Sequence, residues 1–205
     1  MEITQDPNKI LQELIAGNER FLEGQSVKCA HSSLRKLKAF SETGQLPKAI
    51  LLCCSDSRAP AEMVFDQDIG DLFVIRVAGN VVAPSLVGSV EFAASTFGTS
   101  LILVMGHTQC GAIEATLHHI EDPKTIESEN IHDIVSRIKP HVFPITQMHN
   151  LSHDEKVTIA VKANIMASVN QLSHSSRLIE NLVAQEKIKI IGAMLDLSTG
   201  RVEFL

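Results

Sequence analysis

Four short apolar runs constrain this chain more than any other feature: AILLCC (49–54), LFVIRVA (72–78), LILVMG (101–106) and IKIIGAML (188–195). None alternates polar with apolar residues, as a strand with one wet face would. Runs of this length, rich in branched side chains and separated by helix-like segments, read as strands buried on both faces of a mostly parallel sheet. Segments 85–97 and 113–120 supply crossover helices. A closing RVEFL after Ser198-Thr199-Gly200 reads as a turn and a last strand at the sheet edge, antiparallel to its neighbour. The fold class is α/β: a mostly parallel central sheet of four strands plus a C-terminal edge strand, flanked by helices.

Asp6 followed by Pro7 is a helix-start signal, and Ile10, Leu11, Leu14, Ile15 and Phe21 recur at roughly helical spacing up to Gly24. A second helix is expected over 33–43, with Leu34, Leu37 and Phe40 on one face and Gly44 as its stop. Between Glu121 and Glu186 the pattern is mostly helical, with interruptions expected near Pro140 and Pro144. No repeat or long linker divides the 205 residues, so a single domain over 1–205 is expected, with 1–45 as a helical arm.

With 24 acidic against 18 basic residues the formal charge is -6, which gives no basic field for nucleic acid or an anionic membrane. The longest apolar runs are far too short to cross a bilayer. The N-terminus MEITQDPNKILQEL lacks the basic start and apolar core of a secretory leader. The expectation is a soluble cytoplasmic protein with a small-molecule partner, no nucleic acid and no membrane. Cysteines at 29, 53, 54 and 110 do not form a disulfide framework in a chain this size. Metal binding or thiol chemistry remains as their special use.

Cys54 ends one expected strand, and His107-Thr-Gln-Cys110 ends another. Ligands of open α/β sheets bind beyond the carboxyl ends of the strands, so these three side chains can converge there. Two thiolates and an imidazole suit zinc, and three protein donors, as opposed to four, leave a position for water. Cys110 precedes the helix beginning near Gly111, whose N-terminus should lower the thiol's pKa. Cys53 points to the opposite face if the segment is extended. Cys29 stays open as a fourth ligand. The same alternation puts Cys54, Asp56 and Arg58 on one side, with Arg58 able to hold Asp56 by a bidentate pair. Capping of a helix after Pro60 is the structural alternative for Asp56 and Ser57. Two thiolates nominally cancel the charge of zinc, so a bound water should have a pKa between about 7 and about 9, with activity improving toward mildly alkaline pH.

Cys54-Ser-Asp-Ser-Arg58 together with Gly106-His107-Thr-Gln-Cys110-Gly111 strongly resembles the two signature segments of β-class carbonic anhydrases, and the similarity extends across most of the chain. The resemblance implies one zinc ion per subunit held by Cys54, His107 and Cys110, and an Asp56–Arg58 dyad. It implies reversible hydration of CO2 to bicarbonate and a proton by attack of zinc-bound hydroxide. It implies a homodimer or a tetramer of dimers, the N-terminal arm packing on the partner and the sites lying at the dimer interface. Gln45 matches a glutamine that donates to substrate across that interface. Phe73 and Ala78 match positions lining the CO2 pocket, with Ala78 standing where Val is usual. Gly79 and Asn80 match a family variant that has Ala-Gly-Asn after the second strand.

Departures from the pattern are informative. One subgroup carries a regulatory bicarbonate pocket of Trp, Arg and Tyr; Arg76 matches the Arg, but Leu51 and Leu195 stand where the aromatic residues would be, so no such site is expected. Phe92 stands where many relatives have Tyr. Other readings keep the motifs and change the chemistry. Hydrolysis of CS2 or COS would use the same zinc, a zinc-stabilised binding domain would need a fourth ligand, and thiol redox would need Cys53 and Cys54 to pair through a strained ring. There is no Gly-x-Ser-x-Gly elbow, P-loop or dinucleotide fingerprint. Histidines 118, 119, 132 and 149 read as solvated.

Overall fold

Helix α1 (Pro7–Leu22) opens the computed structural model, which describes residues 5–28, 34–126 and 128–205. Then come α2 (Leu34–Thr43), β1 (Ala49–Cys53), α3 (Ala61–Val64), β2 (Leu72–Arg76), α4 (Pro84–Phe97), β3 (Leu101–His107) and α5 (Gly111–Glu121). The chain finishes with α6 (Glu129–Thr146), α7 (His153–Ser173), α8 (Arg177–Ala184), β4 (Lys189–Leu195) and β5 (Val202–Phe204). Every one of the four apolar runs is a strand. The sheet order is β2-β1-β3-β4-β5, parallel throughout except that β5 runs antiparallel to β4. The mostly parallel sheet with its C-terminal edge strand is the one the sequence implies.

Burial on both faces explains the lack of alternation. Ile50 and Leu52 of β1 pack toward α4 to α8, whereas Leu51 and Cys53 pack toward α1 and α3; all four are fully buried. Burying each leucine or isoleucine this way is worth roughly 2 kcal/mol before entropy is counted. On the second face α1 contributes Ile10 and Leu14, and its buried Asn18 bridges three parts of the chain. The Asn18 amide donates to the carbonyls of Val64 (3.1 Å) and Gly200 (2.9 Å) and accepts from the Val202 amide (3.0 Å). Helix α1 therefore docks on its own sheet, while α2 buries no side chain and leaves Leu34, Leu37 and Phe40 exposed.

The break expected near Pro140 and Pro144 does not occur: α6 runs through both. A proline inside a helix removes the donor to the carbonyl four residues back. Here the two prolines are themselves four apart on the outer side of α6, and the residues whose carbonyls lose a donor, Ser136 and Pro140, are at exposed positions where water can substitute. The apolar stripe of Val135, Ile138, Val142 and Ile145 stays continuous on the inner side.

Candidate metal centre

In this strand order the chain leaves β1 for one side of the sheet and later returns to its other side, so β1 and β3 flank the switch point where open α/β sheets bind ligands. Cys53 pairs with Met105, which sets Cys54 and His107 beside one another at the carboxyl ends of neighbouring strands. Cys110 caps α5 from just beyond β3. One ligand atom from each of Cys54, His107 and Cys110 lies within 4.8 Å of the others. All three residues are buried, at 5%, 1% and 2% exposure.

The protonation pattern suits a cation. His107 Nδ1 lies 2.9 Å from the Thr108 carbonyl, which can only accept, so the proton is assigned to Nδ1. That leaves Nε2 with a bare lone pair, buried and without a hydrogen-bond partner. An orphaned acceptor between two sulfurs costs free energy unless something positive fills the gap. Two soft sulfur donors and one imidazole nitrogen favour zinc over hard ions such as Mg2+.

Without a metal, the Cys110 thiol and then the His107 ring and the Gly79 and Asp56 amides hold the Cys54 thiol well below its ordinary value, against the effect of burial. Cys110 moves the other way. Its proton is held by the adjacent Cys54 sulfur and by burial, which outweigh the Ala112 and Ile113 amides. The helix N-terminus thus acts on Cys110 in the expected direction but does not win; its neighbour does. Burial opposes a charged His107, yet the Cys54 sulfur, the Thr108 carbonyl and the Asp56 carboxylate raise its pKa overall.

Asp56 and Arg58 meet through a turn, not through strand alternation. Asp56 Oδ1 accepts the Arg58 backbone amide at 2.9 Å, and the Ala59 amide donates to the Asp56 carbonyl at 3.1 Å. The guanidinium then closes on the carboxylate with Nε to Oδ1 at 3.0 Å and Nη2 to Oδ2 at 2.8 Å. The Arg58 side chain is the largest cause holding the Asp56 carboxyl well below the usual carboxylate range. Oδ2 lies 3.8 Å from His107 Nε2, beside the donor set without belonging to it. Neither Asp56 nor Ser57 caps α3, whose N-cap is Pro60 with no side-chain bond.

Several residues build the site in ways the sequence reading did not assign. Arg76, read only against a regulatory pocket, donates to the carbonyls of Cys54 (3.0 Å), Asp56 (2.6 Å) and Ala59 (3.4 Å), so it shapes the whole loop. A charged residue closing an otherwise apolar strand was the available signal. The turn Ala78–Asn80 follows β2, and Gly79 in it has φ 68° and donates its amide to Cys54 Sγ at 3.4 Å. Asn164 of α7 holds the Gly79 carbonyl at 2.8 Å. Gly106 permits α7 to approach, since a Cβ there would lie 2.8 Å from Ile165. Thr108 fastens the loop to the end of β4 and the residues after it: its amide donates to the Leu195 carbonyl (2.9 Å), and its hydroxyl oxygen accepts the Leu197 amide (3.0 Å).

Gln45 and Phe73 are not brought to this crevice by their own chain. Gln45 is exposed ahead of β1, and Phe73 pairs with Ile50, roughly 13 Å along the strand from Cys54. Phe73 instead packs with Phe92 and Phe97, ring centroids 6.3 and 6.2 Å away. Ala78 does sit at the metal-site end, next to Gly79. Cys53 lies on the opposite face, and burial pushes its thiol up to about 12. Cys29 lies outside the described residues. Of the histidines read as solvated, 118, 132 and 149 are exposed, but His119 is buried at 5%, with its ring edge-on to His132 at 5.5 Å. It sits one position round α5 from His118, on the side that α6 covers.

Fold and site together define an α/β protein with a buried Cys–His–Cys donor set suited to a metal ion at the switch point of a parallel sheet. The family pattern described as carbonic anhydrase matches residues 49–202. Carbonic anhydrase 2 of Mycobacterium tuberculosis is 33% identical over 196 residues, covering 96% of this chain and 91% of that protein. The solved structure of the β-carbonic anhydrase CcaA superposes with a TM-score of 0.74 at 25% identity, covering 96% of this chain and 98% of the other. Tetrameric β-carbonic anhydrases of Sordaria macrospora share the fold, with a TM-score of 0.73 at 20% identity over 96% and 97% of the two chains. The chain belongs to the carbonic anhydrase family, in its β class. Among the described residues no helix is long and apolar enough to cross a membrane.

Proposed function

We propose that this chain hydrates CO2 reversibly to bicarbonate and a proton, using one zinc ion per subunit held by Cys54, His107 and Cys110. The observation that carries the reading is the orphaned, buried Nε2 of His107 facing two cysteine sulfurs, with a clamped carboxylate alongside. Zinc bound there supplies a Lewis acid that brings the pKa of a water toward neutrality.

The protein's own groups do the rest. Asp56, ionised and held in place by Arg58, can only accept a hydrogen bond, so an attacking oxygen beside His107 must point its O–H at Oδ2 and its lone pair away. Arg58 is itself tied to the Gln109 carbonyl at 3.2 Å, which fixes the aim of the pair relative to the His107–Cys110 turn. Asp56 orients the oxygen and does not keep its proton; the proton of the net reaction is the one lost when a fresh water is converted to the attacking hydroxide, and it passes to buffer.

A homodimer, alone or paired into a tetramer, completes this proposal. Its support is the unburied apolar face of α2, together with Leu46 and Phe92 left open near Gln45 and Phe73. Gln45 would donate to substrate, and Phe73 and Ala78 would line the CO2 pocket, the first two from across the interface. All 205 residues would act as one domain. A reducing cytoplasm fits the buried, unpaired Cys53, Cys54 and Cys110.

The test is stopped-flow proton release after mixing CO2 with protein of measured zinc content. Hydration should scale with zinc and fall by about a hundredfold or more in Asp56→Asn at unchanged zinc content. A fully loaded dimer with no activity above background would sink the reading and send the assay to CS2 and COS.

A further inference from the structure

A second group of metal-type donors stands on the outer side of α5. Glu114, His118 and His153 each offer one ligand atom, and these atoms lie within 4.8 Å of one another. Glu114 and His118 are four apart on α5, so their side chains rise from the same face of the helix. His153 is the first residue of α7 and reaches across from a separate element. Its Nε2 lies 2.9 Å from Glu114 Oε2, and its ring stands edge-on to that of His118 with centroids 6.0 Å apart.

An ordinary ion pair accounts for Glu114 and His153 but leaves His118 unexplained, because that imidazole is aimed into the same space with no hydrogen bond of its own among the described residues. Two imidazoles and a carboxylate form a donor set that suits borderline divalent ions and not Mg2+ or Ca2+, which prefer oxygen alone. Ligand atoms around a tetrahedral ion lie about 3.3 Å apart when each bond is about 2.05 Å. The side chains of Glu114 and His153 are 34% and 56% exposed, so small rotations suffice to close from 4.8 Å.

We propose that Glu114, His118 and His153 form a second, weaker site for a borderline divalent transition-metal ion, Zn2+ being the probe of choice. Water fills the remaining positions, which open to solvent, so the ion exchanges readily. Its place in the fold gives it a consequence. Helix α5 starts at Cys110, and α7 carries Asn164 and Ile165 against Gly79 and Gly106. An ion bridging α5 to α7 therefore ties together the two helices that hold the Cys54 site.

The experiment is a calorimetric Zn2+ titration of tag-free protein in a non-coordinating buffer, beginning with zinc already in the cysteine site. One further equivalent should bind, weakened by about tenfold or more in His118→Ala and in His153→Ala and lost in the double variant. In parallel, Co2+ added to the same zinc-loaded wild type should perturb the imidazole proton resonances of His118 and His153 before those of other histidines. No second equivalent, a second equivalent that survives the double variant, or first perturbation at different histidines would overturn the proposal. The resonance assignment decides even if the cysteine site proves not to take zinc.

Discussion

Arg58 grips Asp56 with two guanidinium nitrogens and its own backbone amide, at 2.8 to 3.0 Å, across a single intervening residue. Three donors from one residue saturate both carboxylate oxygens on one side and leave Oδ2 a free edge toward His107. A carboxylate this close to a metal donor set would otherwise be a ligand. The turn makes it a neighbour.

Arg58→Ala should therefore impair the enzyme without emptying it. The variant loses the largest cause of the depressed Asp56 pKa, which returns toward the ordinary value of 3.8. A depressed carboxylate stabilises the fold above its unfolded pKa and loses that contribution as pH falls through the folded one. Asp56 thus stays ionised between about pH 6 and about pH 9 in both proteins, and any activity loss there reports aim, not charge. Hydration should drop by about a hundredfold with zinc retained, and Arg58→Lys should recover only part. Full activity in the alanine variant would show that Asp56 needs no clamp.

Cys53 and Cys54 should respond oppositely to alkylation. Cys53 is fully buried on the α1 side, with its thiol pushed up to about 12, so it carries almost no thiolate at neutral pH. Iodoacetamide on native, zinc-stripped protein should label Cys54 and leave Cys53 intact, read by peptide mass spectrometry. Cys53→Ala should keep zinc content and hydration rate while costing roughly 1 kcal/mol of stability. A disulfide between the two, or activity lost with Cys53, would restore thiol redox as a function.

Much of this was legible in the chain, and the rest was hidden for identifiable reasons. Strands buried on both faces announce themselves as short apolar runs, and the motif ends of β1 and β3 follow directly. The continuity of α6 was hidden because a proline's harm depends on whether the bereaved carbonyl meets water, which only the fold decides. The position of His119 on the covered side of α5, one residue from exposed His118, depends on where α6 lies. The pKa of Cys110 depended on the sulfur of Cys54, far away in sequence, which no local helix argument can weigh. Arg76 and Asn164 work through backbone carbonyls, so even where a charge at the end of an apolar strand marks Arg76 as unusual, the side-chain pattern does not name the partners.

Bicarbonate should inhibit this enzyme without cooperativity. Leu51 and Leu195 are 0% and 2% exposed in the core beneath α1, offering no polar atom to an anion. The Arg76 guanidinium is already engaged by the carbonyls of Cys54, Asp56 and Ala59. Withdrawing it for an anion would dismantle the loop that presents Asp56. Hydration rates across a bicarbonate series should fit simple product inhibition, with a Hill coefficient near one. A steep, cooperative loss, with bicarbonate found beside Arg76 in a crystal, would contradict this.

Gly79→Ala should damage the metal centre from behind. At φ 68° an L side chain is strained, and a Cβ would sit 2.8 Å from Ile138 Cδ1 and 3.1 Å from Ala112 Cβ. Strain and overpacking together should cost about 1–3 kcal/mol, at roughly 2–4 °C of Tm per kcal/mol for a chain of this size. The backbone amide at this position would still exist, but the turn would have to shift to relieve Ile138, pulling its donor from Cys54 Sγ. Zinc should then dissociate faster into a chelator than from the parent. Asn164→Ala separates the two effects: it frees the Gly79 carbonyl without adding bulk. Faster zinc loss in both variants would tie metal retention to the placement of this turn. Normal zinc retention in Gly79→Ala despite a lowered Tm would assign Gly79 to packing alone.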